Sequence, residues 1–307
     1  MKILVIGDIM LDEYIYGECN RISPEAPVQV FEYKSSENRL GGAANVANNI
    51  ASFGFEVDLI GLVGNDKNSE KILSFNKNTT VNFHLVKKAG FTTIVKQRYV
   101  QDNHQILRVD YEKKIDSSIN FHDTIFSKIS DLVSKNEYKS IIVSDYNKGI
   151  IDDKLIKKIT NSFDLKVFVD PKVNDVMKYE GAYLIKPNKK EAELMVGFNL
   201  DNENKIKDAC KLISKKGKIA NVIVTLSDLG LAFYNENIFK IIEANKVEVS
   251  DVTGAGDTFI SALVYYYSVS KDLKKACHFA NYCSSVSVSK FGTSVLTQKE
   301  IKSWKNF

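Results

Sequence analysis

Asp251-Val252-Thr253-Gly254-Ala255-Gly256-Asp257 sets two carboxylates on either side of a glycine-rich turn, which opens the apolar stretch Thr258-Phe259-Ile260-Ser261-Ala262. If that stretch is a helix, its first backbone N–H groups lack partners and carry a partial positive charge, a setting that attracts phosphate. Two glycines let the backbone approach an anion closely. Asp257, at the mouth of the turn, could take a proton from a hydroxyl. The chemistry these parts suggest is phosphoryl transfer from a nucleotide to an alcohol. Asp is also a favoured N-cap, so a plain helix start is the competing reading. No Gly-x-x-x-x-Gly-Lys-Ser/Thr occurs, which excludes a P-loop. Phe259 stands where a dinucleotide fingerprint wants a third small residue.

Such a turn needs elements to position it. Short apolar runs alternate with helical patterns, the signature of a parallel sheet with crossover helices. The runs are Lys2–Ile6, Val57–Val63, Ile141–Ser144, Val167–Val169, Tyr183–Ile185 and Val222–Thr225. The helical patterns are 43–53, 152–163, 189–196, 204–216, 255–268 and 273–291, with Gly54 and Gly217 placed as C-terminal caps. Asp8, Asp145, Asp170, Asn188 and Thr225 each follow a candidate strand, on the edge where open α/β sheets bind ligands. Asp and Asn are also ordinary loop residues. Residues 14–33 and 92–112 break the rhythm. They are rich in β-branched and aromatic residues and read as antiparallel strands of a small lid, spanning roughly 12–40 and 90–112. A lid would keep water from the nucleotide. An apolar face on it would also suit a homodimer.

Composition narrows the class. The chain has 307 residues, 44% hydrophobic, and we expect one domain over 1–307. Its 42 basic and 38 acidic residues are interspersed, so a nucleic-acid partner is not expected. No apolar stretch approaches a membrane span, and the N-terminal run is too short for a signal peptide. Cys19, Cys210, Cys277 and Cys283 form no CxxC pair, and His84, His104, His122 and His278 are scattered. Reduced thiols, no zinc site and a cytoplasmic setting are the expectations.

Three further groups carry chemistry. Gly41-Gly42-Ala43-Ala44-Asn45 opens the first long helix and could bring backbone and amide to sugar hydroxyls, or form only a tight turn. Asn188-Lys189-Lys190-Glu191 puts an amide and a carboxylate on one helix face, either to hold water around Mg²⁺ or as a capping box. Thr225-Leu226-Ser227-Asp228-Leu229-Gly230 could meet nucleotide phosphates or be an ordinary loop.

In their order, these groups resemble the ribokinase-like (PfkB) carbohydrate kinases across the whole chain. The resemblance implies a three-layer α/β/α fold with a mostly parallel sheet and a β lid, and ATP-dependent phosphorylation of a sugar hydroxyl. It implies Asp257 as the base, with the N–H groups of Gly254, Ala255 and Gly256 as an anion hole. ATP would meet Asn188, Lys189, Lys190, Glu191, Thr225, Ser227, Gly230, Gly256 and Asn281. Mg²⁺ would sit near Glu191 through water, and Asp251 and Thr253 would stand by a K⁺ ion. A narrower likeness lies in Gly7-Asp8-Ile9-Met10-Leu11-Asp12, Arg21–Val28, Ser144-Asp145-Tyr146 and Asp170-Pro171-Lys172, which are similar to the D-glycero-β-D-manno-heptose 7-phosphate kinases. That likeness implies Asp12, Gly41, Gly42 and Asn45 on the sugar hydroxyls, with Lys172, Arg108, Arg98 or Arg21 on its phosphate. Asn147 stands where a small residue is usual and Val173 where Gly is usual. Lys186 and Leu226 replace the commoner Thr and Arg. Many such proteins carry a fused nucleotidyltransferase domain; we expect the region ending at Phe307 either to stand alone or to be cut from such a protein. Kinases of another sugar or nucleoside, and a silent sugar- or nucleotide-binding regulator, are the alternatives. A helix N-terminus is expected to lower the pKa of Asp257.

Overall fold

A computed structural model describes residues 1–113, 121–172, 175–236 and 238–304. Val173 lies outside them. The elements run β1 (Lys2–Gly7), β2 (Ile9–Ile22), β3 (Gln29–Gly42), α1 (Ala43–Ser52), β4 (Glu56–Gly64), α2 (Lys67–Ser74), β5 (Val81–Lys88), β6 (Ile94–Gln101), β7 (His104–Tyr111), α3 (His122–Lys135) and β8 (Tyr138–Ser144). There follow α4 (Asp153–Ser162), β9 (Val167–Asp170), β10 (Leu184–Ile185), α5 (Lys189–Val196), α6 (Glu203–Gly217), β11 (Asn221–Thr225), β12 (Leu231–Asn235), β13 (Ile238–Ile242), α7 (Ala255–Ser270), α8 (Leu273–Val288) and α9 (Gln298–Lys302).

β1 shows why the fold has three layers. Its side chains alternate between faces: Ile3 and Val5 join one core with α1, α7 and α8, while Leu4 and Ile6 join a second with α3, α4 and α6. A strand buried on both sides must be apolar throughout, as this one is. The nine-stranded sheet runs β13-β12-β11-β10-β9-β8-β1-β4-β5. It is parallel from β11 to β5 and antiparallel at β12 and β13. The expected three-layer α/β/α arrangement is present. Gly217 is not the cap of α6, however: it is the last helical residue, and Lys218 takes the left-handed conformation with φ 49°.

The two segments outside the rhythm form a second sheet, β3-β2-β6-β7. Its hairpins β2–β3 and β6–β7 are antiparallel, but β2 and β6 pair in parallel, which corrects the purely antiparallel expectation. Only Asp8 separates β1 from β2, and β3 runs straight into α1. The small sheet is therefore tied at both ends to the edge where the polar strand-end residues lie. Gly42 makes the β3–α1 junction possible. It sits at φ +59°, and a Cβ there would be 2.3 Å from the Asp8 carbonyl oxygen.

Parallel pairing places Asp12 beside Lys96 and Tyr14 beside Arg98. Arg98 Nη1 donates to Asp12 Oδ1 at 2.5 Å, and both side chains are almost fully buried. Arg98→Ala should leave the Asp12 carboxylate buried without its partner and lower stability by about 3 kcal/mol or more. A urea-melt difference below about 1 kcal/mol would show instead a pair screened by water. Among the described residues no helix is long and apolar enough to cross a membrane.

Candidate active site

Asp8, Asp145, Asp170, Asn188 and Thr225 all lie at the carboxyl edge of the main sheet, where the 251–257 turn meets α7. The turn is braced from within. Asp251 Oδ1 accepts from the backbone N and Oγ1 of Thr253 at 2.9 and 2.7 Å, and its Oδ2 accepts from the backbone N of Gly292 at 2.9 Å. Gly254 is the N-cap of α7 at φ 78°, with no side-chain cap, and a Cβ there would crowd Asn45 Nδ2 at 3.0 Å. The helix start is thus open to an anion, as the glycines suggest.

Asp257 is 2% exposed. Asn45 Nδ2 donates to its Oδ2 at 2.8 Å, and the Tyr146 hydroxyl donates to its Oδ1 at 2.7 Å. Its pKa is raised to about 7, first by burial and then by the Asp170 charge; the two donors and Lys186 pull the other way. The expectation of a lowered pKa is therefore corrected: burial outweighs the helix end. A base near neutrality is better matched to proton abstraction than an ordinary carboxylate.

A cleft of about 1290 Å³ opens onto Gly254, Ala255, Gly256 and Asp257. Its walls also carry Lys172, Asn188, Lys189, Glu191, Thr225, Ser227, Gly230 and Asn281, so most residues expected at ATP meet there. Lys190 is exposed and not among its lining residues. Asn188 and Glu191 form the capping box of α5, with Glu191 Oε2 on the Asn188 backbone N at 2.8 Å. The other oxygen, Oε1, is 2.7 Å from Lys172 Nζ. Lys172 is thus engaged with Glu191. Asn281 Nδ2 donates to the Glu243 carbonyl at 2.7 Å.

Among the described residues no group of three or more His, Cys, Asp or Glu is placed to hold a metal ion. Glu191 has one oxygen in a cap and one on lysine, and Asp170 is paired with Lys186. This donor set fits an ion that arrives on nucleotide phosphates and keeps its waters, as Mg²⁺ does.

From sequence alone Lys186 stands out only as a departure from the commoner Thr. Its side chain is 4% exposed, and its ammonium is 2.9 Å from Asp170 Oδ1 and 3.5 Å from where a Cβ on Gly256 would stand. A buried cation thus sits against the glycine-bounded start of α7. The alternation of residues 93–100 places Lys96 on the face shared with Arg98, and its ammonium lies 5.7 Å from the Tyr146 ring centre. Nothing in the residue spacing assigns Tyr146 a role; a phenol next to the strand-end Asp145 is the signal its sequence carries. Asn147 has φ 58°, a conformation Asn tolerates better than most residues, which explains its standing at a usually small position.

Of the residues expected at the sugar, Asp12 is held by Arg98 and lies against Gly41, while Asn45 is committed to Asp257. Arg108 is largely exposed and paired with Asp110 at 2.8 Å. Arg21 is exposed and paired with Glu32. Residues 21–28 form the exposed tip of the β2–β3 hairpin, not part of the cleft.

Comparison with known proteins fits this geometry. The family model described as pfkB family carbohydrate kinase matches residues 1–300. "Bifunctional protein HldE" from Nitratiruptor sp. is 43% identical over 304 residues, which are 99% of this chain and 65% of that protein. The protein of the same name from Helicobacter hepaticus is 39% identical over 307 residues, 98% of this chain and 63% of that one. The chain thus spans a little less than two thirds of the length of these relatives. Among solved structures, Escherichia coli phosphofructokinase-2 with substrates and products has a TM-score of 0.80 at 19% identity, covering 98% of this chain and 97% of that one. Ribokinase from Thermotoga maritima has a TM-score of 0.74 at 19% identity, with the same coverage. These two share the fold, and the family match covers nearly all of the sequence: the chain belongs to the pfkB family and is an ATP-dependent carbohydrate kinase.

Proposed function

We propose that this kinase phosphorylates the anomeric C1 hydroxyl of D-glycero-β-D-manno-heptose 7-phosphate, giving heptose 1,7-bisphosphate in the cytoplasm on the route to ADP-heptose and the lipopolysaccharide core. The observation that carries the chemistry is Asp257: a buried carboxylate with a pKa near 7, at an uncapped glycine-bounded helix start beside Lys186. The sugar is argued from the heptose-kinase likeness of Arg21–Val28, Ser144-Asp145-Tyr146 and Asp170-Pro171-Lys172, and from relatives named HldE.

In this reading Asp257 accepts the hydroxyl proton as the sugar oxygen bonds to the γ-phosphorus of ATP and the bond to the β-phosphate oxygen breaks, releasing ADP. The N–H groups of Gly254, Ala255 and Gly256, with Lys186, face the charge on the transferred group. Glu191 would hold Mg²⁺ through water, and the ion would supply charge neutralisation at the phosphates. A K⁺ ion beside Asp251 and Thr253 is a further proposal. The small sheet closes over the sugar, and Lys96 and Arg108 are the basic residues it offers to the phosphate, Lys172 being engaged by Glu191. Its exposed Ile22, Val28, Tyr33, Ile106, Leu107 and Tyr111 support a homodimer through that sheet.

The test is ADP release over a panel of sugar phosphates with ATP and Mg²⁺. Turnover of the heptose 7-phosphate at least ~10²-fold above hexose and ribose substrates in kcat/KM is expected, the scale at which a lost polar contact begins to discriminate. Preference for hexose, ribose or a nucleoside overturns the sugar, and no turnover of any acceptor overturns the enzyme.

A further inference from the structure

Tyr146 stands in a loop built with unusual care. Asp8 Oδ2 accepts from the backbone N of Tyr146 at 2.8 Å and of Lys148 at 3.1 Å. Asp145 Oδ1 accepts from the Asn147 backbone at 2.7 Å, and its Oδ2 takes the Tyr179 hydroxyl and the Lys178 ammonium, each at 2.7 Å. Both carboxylates are buried. Burying two charges to shape one loop is costly, and the group the loop delivers to the cleft is the Tyr146 hydroxyl, 2.7 Å from Asp257 Oδ1.

We propose that Tyr146 is a positioning residue for the catalytic carboxylate: with Asn45 on the other oxygen, its hydroxyl fixes the orientation of Asp257 and favours its ionised form. The inference rests on Asp257 being the base. A carboxylate held at both oxygens meets the acceptor hydroxyl in one orientation, so less ordering is left to the transition state. Each donor also stabilises the anion against the burial that opposes it.

The charged and titratable groups around the pair come from every neighbouring element. Asp170 at the end of β9 and Lys186 after β10 act on Asp257; Asp12 on β2 and Asp170 act on Tyr146. Lys96 on β6 lies over its ring. The phenol's own pKa is held well above the ordinary value by burial and by the Asp257 charge, so it stays a donor throughout the working range.

The test uses ¹³C-aspartate-labelled enzyme without substrate. The Asp257 carboxyl resonance, assigned by its loss in Asp257→Asn, is followed with pH. Tyr146→Phe keeps the ring and removes one donor, so the midpoint should rise by about one pH unit, and kcat should fall about tenfold with KM for ATP unchanged. 3,5-Difluorotyrosine at position 146, a stronger donor that keeps the ring, should move the midpoint down, and it serves if the phenylalanine variant does not fold. A role in packing alone moves neither. An unmoved midpoint overturns the proposal even if activity drops. Full activity in Asp257→Asn overturns the assignment of the base, a separate failure.

Discussion

Asp257→Asn should lose at least ~10²-fold in kcat, the low end for general-base work, keep its affinity for ATP, and melt at a higher temperature than the wild type at pH 8. The kinetic part follows from the carboxylate being the proton acceptor in both of its close contacts: Asn45 and Tyr146 each point a donor at it. The thermal part follows from burial. With its pKa raised from 3.8 to about 7, Asp257 binds a proton more tightly folded than unfolded. Its contribution to stability therefore falls as pH rises from about 4 to about 7, and above that the full penalty of a buried carboxylate is present. Asn removes that penalty and still has an oxygen for the Asn45 amide and an N–H₂ for the Tyr146 oxygen. Wild-type kcat/KM should in turn decline below about pH 7 as the base protonates. Near-wild-type turnover in the variant removes Asp257 from the mechanism. A lower melting temperature at pH 8 shows that the carboxylate is stabilised in the fold, contrary to its raised pKa.

How much of this could be read from residues alone depends on the range of the interaction. β1 and the other central strands are legible because burial on both faces demands an unbroken apolar run. β5 is not: its half-exposed pattern includes Asn82, His84 and two lysines. α3 is also missed, having only Ile125 and Ile129 buried. β12 and β13 belong to an antiparallel edge that the βα rhythm does not announce. At the site, the glycine turn and Asp257 are local in sequence and show at once. The Asn45–Asp257 contact joins residues 212 apart, and Tyr146–Asp257 joins residues 111 apart, so no spacing reveals them. The pKa of Asp257 illustrates the same limit. A helix start is local and pointed down, while burial against Asn45 and the Tyr146 loop is tertiary and dominates.

Lys186→Met should reduce kcat by ~10²-fold or more, the scale of losing one preorganised group on developing charge. Here the position carries the argument. Lys186 is nearly buried, anchored by Asp170, and within contact distance of the space above Gly256. A cation held there meets a phosphoryl group without first being ordered, and the low dielectric strengthens its attraction. Lys186 also compensates Asp170, whose pKa burial already raises. Its loss therefore has a second consequence: an unpaired buried acid and a protein less stable by about 3 kcal/mol. The two effects separate in Lys186→Met combined with Asp170→Asn. If Lys186 acts only as a structural counter-ion, neutralising Asp170 should restore both the melting temperature and kcat. If it faces the transferred phosphoryl group, the melting temperature should recover and kcat should stay down by ~10²-fold. Lys186→Arg, which keeps the charge in a bulkier planar head, should retain ATP affinity better than Met while losing part of kcat. A double variant with wild-type kcat sinks the assignment.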